Sequence, residues 1–210
     1  KRDQQGTSNK YNYNYWSSPV GPINGTTINN NYTVAGVFKD GTTGVPQNIN
    51  WVDGYDGNQS SPLSLARYWL YKFQNGTEYA NWIHFTENDD IKPSQGFILK
   101  GAGAVDVTNT ITQNYSFKGK PYNGLITGNS VLTDNLFLVG NPYPSALDGF
   151  QFIKDNISIS KGGENTIDII DGTLYFWQHS PNNTTHVLSG YKGGYATLTL
   201  VGGVAPEAPI

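Results

Sequence analysis

Apolar and polar positions alternate with a period of two along much of this chain. The pattern is set by "YNYNYWSSPVGP", residues 11–22, where Tyr and Asn take turns until Pro19 and Pro22 stop them. That period predicts a strand. The ten residues before it, "KRDQQGTSNK", are polar throughout and read as a flexible lead-in. Residues 23–62 are rich in Asn, Gly and Thr with short apolar pieces such as "YTVAGVF", which predicts brief strands inside long surface loops. "ARYWLYKF" (66–73) has bulky residues at both parities, as in a strand buried on both faces. "NGT" (75–77) predicts a hairpin turn, and "YANWIHF" (79–85) the returning strand. "GFILK", "NYSFKG" and "LFLVG" are further strands, with a Pro-Tyr-Asn-Gly turn at 121–124.

At "LVGNPYPSALDGFQFIKDN" (138–156) the strand pattern stops. Pro142 and Pro144 cannot donate to a ladder and end the strand. Ser145 is a good N-cap, and Asp148 three residues on places a carboxylate in the first turn, near a capping box. Leu147, Phe150 and Ile153, or Phe152 in a rotated frame, form one apolar stripe, and Lys154 suits the negative end of the helix dipole. A helix over about 145–154 is predicted, weakened by Gly149 at a cost of about 1 kcal/mol relative to Ala. "TIDIIDGTLYFWQH", a turn around Asn182-Asn183 and "YKGGYATLTLVGG" follow.

The chain then reads as two imperfect copies. "WSSPVGP…RYWLYKF…NGT…YANWIHF" parallels "VGNPYPS…TLYFWQH…PNNT…GGYATLTL"; a chance match of aromatic strands is the alternative. The expected architecture is all-β, a mainly antiparallel β-sandwich over 11–210 with one short helix after Pro144. Its halves, about 11–118 and 119–210, would share a core. The second half has no counterpart of "QGFILKG", so a strand around 195–201 is expected to have an open edge or to take a foreign strand.

Composition narrows the classes. In 210 residues only 14% are charged and 13% are aromatic, with 25 Gly and 11 Pro, a balance unlike disordered chains. A net charge of -3 offers no basic field to a phosphate backbone, so nucleic acid is not an expected partner. No apolar run is long enough to predict a membrane span. With no cysteine, disulfides, thiol catalysis and Cys-ligated zinc are excluded. With no methionine and no signal peptide, the chain is expected to be a processed piece of something longer, truncated at its C-terminus.

"NYWSSPVG", "GFILKG", "LVGNPYPSALD", "GTLYFWQH" and "GGYATLTLVGGVAP", in that order, resemble a module of large secreted Bacteroidota proteins similar to type IX secretion cargo. The resemblance covers most of residues 11–206 and implies an extracellular or outer-surface address. It implies a larger parent protein and, for many such proteins, adhesion or polysaccharide work. It attaches no reaction to these motifs.

Candidate chemistry is sparse. His84, His179 and His186 fit neither a nucleophile elbow nor a standard zinc spacing, and read as surface or strand-end residues. Carboxylates gather as Asp53/Asp56, Asp89/Asp90 and Asp168/Asp171; a glycosidase pair would need two of them across a cleft. "DGYDGN" could fold around calcium through Asp53 and Asp56, a hard-oxygen set, although Asp-Gly is first of all a turn dipeptide. Trp16, Trp69 and Trp177 read as core. Trp51 and Tyr55 lie in a Gly/Asn/Asp-rich loop and Trp82 in "NWIHF". These three are the candidate ligand platform, since aromatic faces stack on the C–H faces of sugars; plugging a sheet end is the alternative for Trp51 and Tyr55. The leading expectation is a non-catalytic module that holds a polysaccharide or cell-surface glycan. A spacer domain of a polysaccharide-degrading enzyme comes second, and a glycoside hydrolase or lyase third. A binding module should expose two or three aromatics on one face, whereas a spacer should bury nearly all.

Overall fold

A computed structural model describes residues 1–24, 28–105, 111–128 and 130–206. The chain divides into two compact units, Lys1–Ser145 and Ala146–Ile210. In the first unit the order is β1 (Arg2–Thr7), β2 (Tyr13–Trp16), β3 (Val20–Gly21), a helical turn α1 (Val34–Val37), β4 (Phe38–Asp40), β5 (Gln47–Asn48), β6 (Asn50–Val52) and β7 (Ser64–Ala66). It continues through β8 (Tyr71–Lys72), β9 (Gln74–Gly76), β10 (Ile83–His84), β11 (Phe97–Lys100), β12 (Thr112–Phe117), β13 (Lys120–Pro121) and β14 (Leu136–Phe137). The second unit holds α2 (Gly149–Asn156), β15 (Leu174–His179), β16 (Gly193–Thr199) and β17 (Gly202–Val204). The protein is mainly all-β, as its alternation predicts.

Two four-stranded antiparallel sheets build the first unit, ordered β1-β12-β4-β5 and β10-β8-β11-β2. Their inner faces meet through aromatic rings. Trp16 of β2 lies 5.3 Å from Phe38 and 5.1 Å from Tyr115, and Phe38 lies 6.1 Å from Phe97, centroid to centroid. Phe38, Phe97, Phe117 and Tyr115 are buried, each such ring contributing about 2–3 kcal/mol before entropy is counted. Most polar groups inside this layer find partners, as burial requires, the Ser116 hydroxyl of β12 being an exception. The Asn14 carboxamide accepts from the Thr7 N–H (2.7 Å) and donates to the Thr7 carbonyl (3.1 Å). Buried Asp40 accepts from the Thr42 and Leu63 N–H groups (2.8 and 2.9 Å). The sandwich also carries one parallel pair, β6 with β7.

Several expectations are corrected. Residues 2–7 are not a lead-in: β1 pairs with β12 over six positions, Arg2↔Phe117 to Thr7↔Thr112. A polar sequence suffices for this edge strand, because its ladder comes from the backbone. "ARYWLYKF" is not one strand. Arg67–Trp69 coils into a 3-10 turn between β7 and β8, and Tyr79–Asn81 does the same before β10. The hairpin survives as the β8/β10 pair.

The helix after Pro144 forms, but as Gly149–Asn156, capped by Asp148 and not by Ser145. Asn141 holds the Pro-flanked loop closed by accepting from the Tyr143 N–H (3.0 Å) and donating to the Ser145 carbonyl (2.5 Å). Ser145 is thereby part of the break. Asp148 Oδ1 accepts from the Phe150 and Gln151 N–H groups at 2.9 and 3.1 Å, and its charge faces the positive helix end. Gly149 then stands in the first turn, where a Cβ would press on Leu198 at 2.9 Å.

The buried cluster runs from Trp16 to Tyr122 and lies within the first unit, and the chain divides at 145/146 rather than 118/119. The stretches that parallel one another in sequence fold differently: "RYW" is a 3-10 turn, whereas "LYFWQH" is a six-residue strand. Nor does the strand near 195–201 lie open. β16 is the middle of a three-stranded sheet, paired with β15 along its length and with β17 at Thr197, Leu198 and Thr199. The tight turn after Thr199 returns the chain onto its own edge, which the sequence comparison of the two halves had no means of registering.

Candidate functional site

The outer face of the β10-β8-β11-β2 sheet gathers aromatic side chains. In "YNYW" the buried residues are Asn14 and Trp16, so alternation turns Tyr13 and Tyr15 outward. Register sets Lys100 opposite Tyr13, Ile98 opposite both Tyr15 and Tyr71, and His84 opposite Tyr71, all at the outward parity. The 3-10 turn at Arg67–Trp69 then folds two more rings over this surface. Trp69 lies 6.0 Å from Tyr13 and Tyr68 lies 6.3 Å from His84. Tyr55 completes the group at 4.7 Å from Tyr68 and 5.9 Å from Trp69, with its carbonyl accepting from the Trp69 Nε1–H at 2.7 Å.

Arg67 holds that turn in place. Its guanidinium binds both carboxylate oxygens of the largely buried Glu87 at 3.1 Å, Asp53 at 2.7 Å and the Trp51 carbonyl at 3.1 Å. A bidentate fork of this kind fixes direction as well as charge. Beneath the rings lies Lys100, 3% exposed, its Nζ 3.6 Å from the Trp69 ring centroid and 4.8 Å from that of Tyr13. Burial lowers its pKa to about 8, with Asp56 acting the other way. The amine is too enclosed to touch a substrate; it braces the rings from below.

What faces solvent is tyrosine. Tyr55, Tyr68 and Tyr79 are 56%, 43% and 59% exposed. Burial, and then the nearby Tyr68, raise the hydroxyl pKa values of Tyr71 and Tyr79, so these two stay neutral hydroxyls at physiological pH. Chemically the surface offers flat C–H-binding faces edged by neutral donors and acceptors.

Of the three residues expected to form a platform, Tyr55 belongs to this surface. Trp82 is half-buried, 5.1 Å from Phe73 and 6.4 Å from Tyr15, at the margin of the same face. Trp51 is half-buried and packs against the core, the sheet-plugging alternative. Asp53 and Asp56 are held apart by different cations, Arg67 and Lys10 (2.7 and 2.8 Å). Among the described residues no group of three or more His, Asp or Glu gathers as a metal would need. Other carboxylates close turns: Asp89 accepts from the Thr86 N–H (2.6 Å) and Asp171 from that of Thr173 (2.8 Å). Asp168, held down to about 2 by the Ser158 N–H and by Lys161, does likewise. Tyr68, Tyr71, Tyr79 and Lys100 escaped the sequence reading; the shared parity of Tyr13, Tyr15 and Lys100 was the available signal.

A family model described as a domain of unknown function, DUF8693, matches residues 1–201. The chain belongs to the DUF8693 family. The match begins at residue 1, in keeping with β1 as part of the first unit, and runs on through β16 of the second. No curated protein and no solved structure matches the chain. Among the described residues no helix is long and apolar enough to cross a membrane.

Proposed function

We propose that this DUF8693 chain is a non-catalytic glycan-binding module of a secreted or cell-surface protein, engaging polysaccharide through the tyrosine face of its first unit. The carrying observation is the cluster of Tyr55, Tyr68 and Tyr79, each more than two-fifths exposed, around rings braced by Trp69 and Lys100. Exposed large aromatics gathered on one surface mark interaction sites. Rigid tyrosines lose little rotamer freedom on contact. A spacer would bury these rings, so their exposure favours binding over the spacer alternative. The extracellular address and adhesive setting rest on the sequence motifs and their resemblance to secreted Bacteroidota modules. A glycan array followed by affinity electrophoresis of the full chain tests the proposal. Y55A/Y68A should weaken capture of the best polysaccharide at least tenfold, about 1.4 kcal/mol, while the thermal unfolding midpoint stays within a few degrees. Full retention of binding by that variant, or no bound glycan for the wild type, overturns it.

A further inference from the structure

Asparagine is followed by glycine at Asn24–Gly25, Asn75–Gly76 and Asn123–Gly124. Gly25 lies outside the described residues, and the other two pairs are held in opposite ways. At Asn123 the side chain folds onto the next residue, Oδ1 accepting from the Gly124 N–H at 2.8 Å. Cγ is one C=O bond of about 1.2 Å further on. It therefore lies about 3–3.5 Å from that nitrogen, the separation of a near-attack geometry. The main chain is fixed in this pose. Asn29 accepts from the Asn123 N–H at 3.1 Å and donates to the Asn123 carbonyl at 2.7 Å, and the Tyr143 hydroxyl donates to the Gly124 carbonyl at 2.6 Å. Both residues are exposed, and Gly124, at φ +69°, has open space where a Cβ would stand. The Asn123 Nδ2 has no hydrogen-bond partner among the described residues.

Asn75 and Asn165 supply the contrast. Asn75 donates to the Ser130 carbonyl at 3.1 Å and accepts from the Leu132 N–H at 2.9 Å. Its carboxamide is thereby turned to the 130–132 segment and not to the N–H of Gly76, which is buried in β9 opposite Leu136. Asn165 does accept from the following N–H, that of Thr166, at 2.7 Å. Its Nδ2, however, is held by the Asp155 carbonyl at 3.1 Å, and the next residue is β-branched and stiff. Of the three, only Asn123 combines the pose, the glycine and an unheld amide nitrogen.

We infer that Asn123–Gly124 is a self-modification site, where the chain converts its own asparagine to aspartate and isoaspartate through a cyclic imide. Water and hydroxide are the only other reactants. Hydroxide takes the Gly124 amide proton, and the nitrogen attacks Asn123 Cγ as an intramolecular nucleophile, closing the imide ring. The Cγ–Nδ2 bond breaks, and Nδ2 leaves as ammonia after taking a proton from water, which regenerates hydroxide. Water then adds to either ring carbonyl. Opening at Cγ leaves aspartate, and opening at the main-chain carbonyl leaves isoaspartate, with the chain running through Cγ. Nothing is oxidised or reduced. Both products carry a new carboxylate, and isoaspartate adds a carbon to the main chain inside the turn that Asn29 and Tyr143 clasp. Tyr143 belongs to the proline-flanked Asn141–Pro144 loop, so conversion releases that loop from the 123–125 turn. The site is a slow chemical clock on the contact between them, and it stands apart from the glycan-binding reading.

The test incubates the full chain in neutral buffer at physiological temperature and follows its tryptic peptides by mass spectrometry, with electron-transfer fragmentation separating aspartate from isoaspartate. Expected is a gain of about 1 Da that localises to Asn123 and builds up faster in alkaline than in neutral buffer. Conversion at Asn75 and Asn165 should be at least about tenfold slower, since losing a near-attack pose costs that much or more. In urea, where the poses are gone, Asn75 and Asn123 should convert at similar rates. If folded Asn75 or Asn165 converts as fast as folded Asn123, the inference is overturned. A gap between Asn75 and Asn123 that persists in urea would belong to local sequence and overturns it equally. Hydrogen exchange over residues 141–145 should be faster in the aged chain than in the fresh one; unchanged exchange there overturns the release of the loop.

Discussion

Replacing Lys100 with methionine measures how strongly the amine beneath the tyrosine face is held against its own solvation. The side chain is 3% exposed, and burial lowers its pKa from 10.5 to about 8. Below about pH 8 the amine is protonated in both folded and unfolded chains, and the folded state bears the whole desolvation penalty. Between the two pKa values the unfolded chain binds more protons, so this group's contribution to stability rises with pH. The gap between 10.5 and about 8 corresponds to about 3 kcal/mol of penalty at neutral pH. Of this, about 2 kcal/mol is relieved between roughly pH 7 and pH 9.5. The Trp69 and Tyr13 faces at 3.6 and 4.8 Å offset about 1–2 kcal/mol of it through cation–π attraction. Methionine keeps the apolar stem and removes the charge. Lys100→Met should therefore be more stable than wild type by about 1–2 kcal/mol near pH 7, and the difference should shrink by about 2 kcal/mol near pH 9.5. Urea titrations of both proteins at the two pH values read this directly. A difference that stays constant across that range would refute the account of an enclosed, partly neutralised amine.

Two further substitutions test the frame. Asp148→Ala should cost about 1 kcal/mol in urea unfolding, the usual loss of an N-cap, whereas Ser145→Ala should change stability by less than about 0.5 kcal/mol; the reverse order would return the cap to Ser145. Gly101→Ala should destabilise by about 1–3 kcal/mol or more. Its Cβ would overlap the Ser8 carbonyl and sit 2.8 Å from the Asn9 oxygen, whereas Gly44 has open space around it. A Gly101→Ala protein as stable as Gly44→Ala would mean that the Ser8–Asn9 backbone does not press on Gly101.

Much of the first unit was legible because its signals are local. Alternation in "YNYNYW" is enough to decide which residues of β2 face inward, and "GFILK" and "NYSF" need only their own side chains to read as buried strands. The break at Asn141–Pro144 was equally local, since proline removes a donor wherever it stands. Cap choice was less so. Ser145 and Asp148 are both good caps in isolation, and the closing of Asn141 onto the Ser145 carbonyl decided between them.

What sequence by itself determined was the β class, the position of the strands with clear period-two patterns, the helix after the prolines and the core roles of Trp16 and Trp69. Tertiary structure decided the rest. Polar β1 is a strand only because β12 offers it a ladder of backbone groups. Tyr68 sits on the outer face, beside the buried Trp69, because Arg67 finds Glu87, twenty residues away in sequence, and coils the chain there. Trp177 is half-buried because strand pairing and the 191–195 segment bring Tyr191 and Tyr195 against it. Exposure is a property of what lies opposite a side chain, and hydrophobic pattern reports only which residues could be covered, not which ones find a partner to cover them.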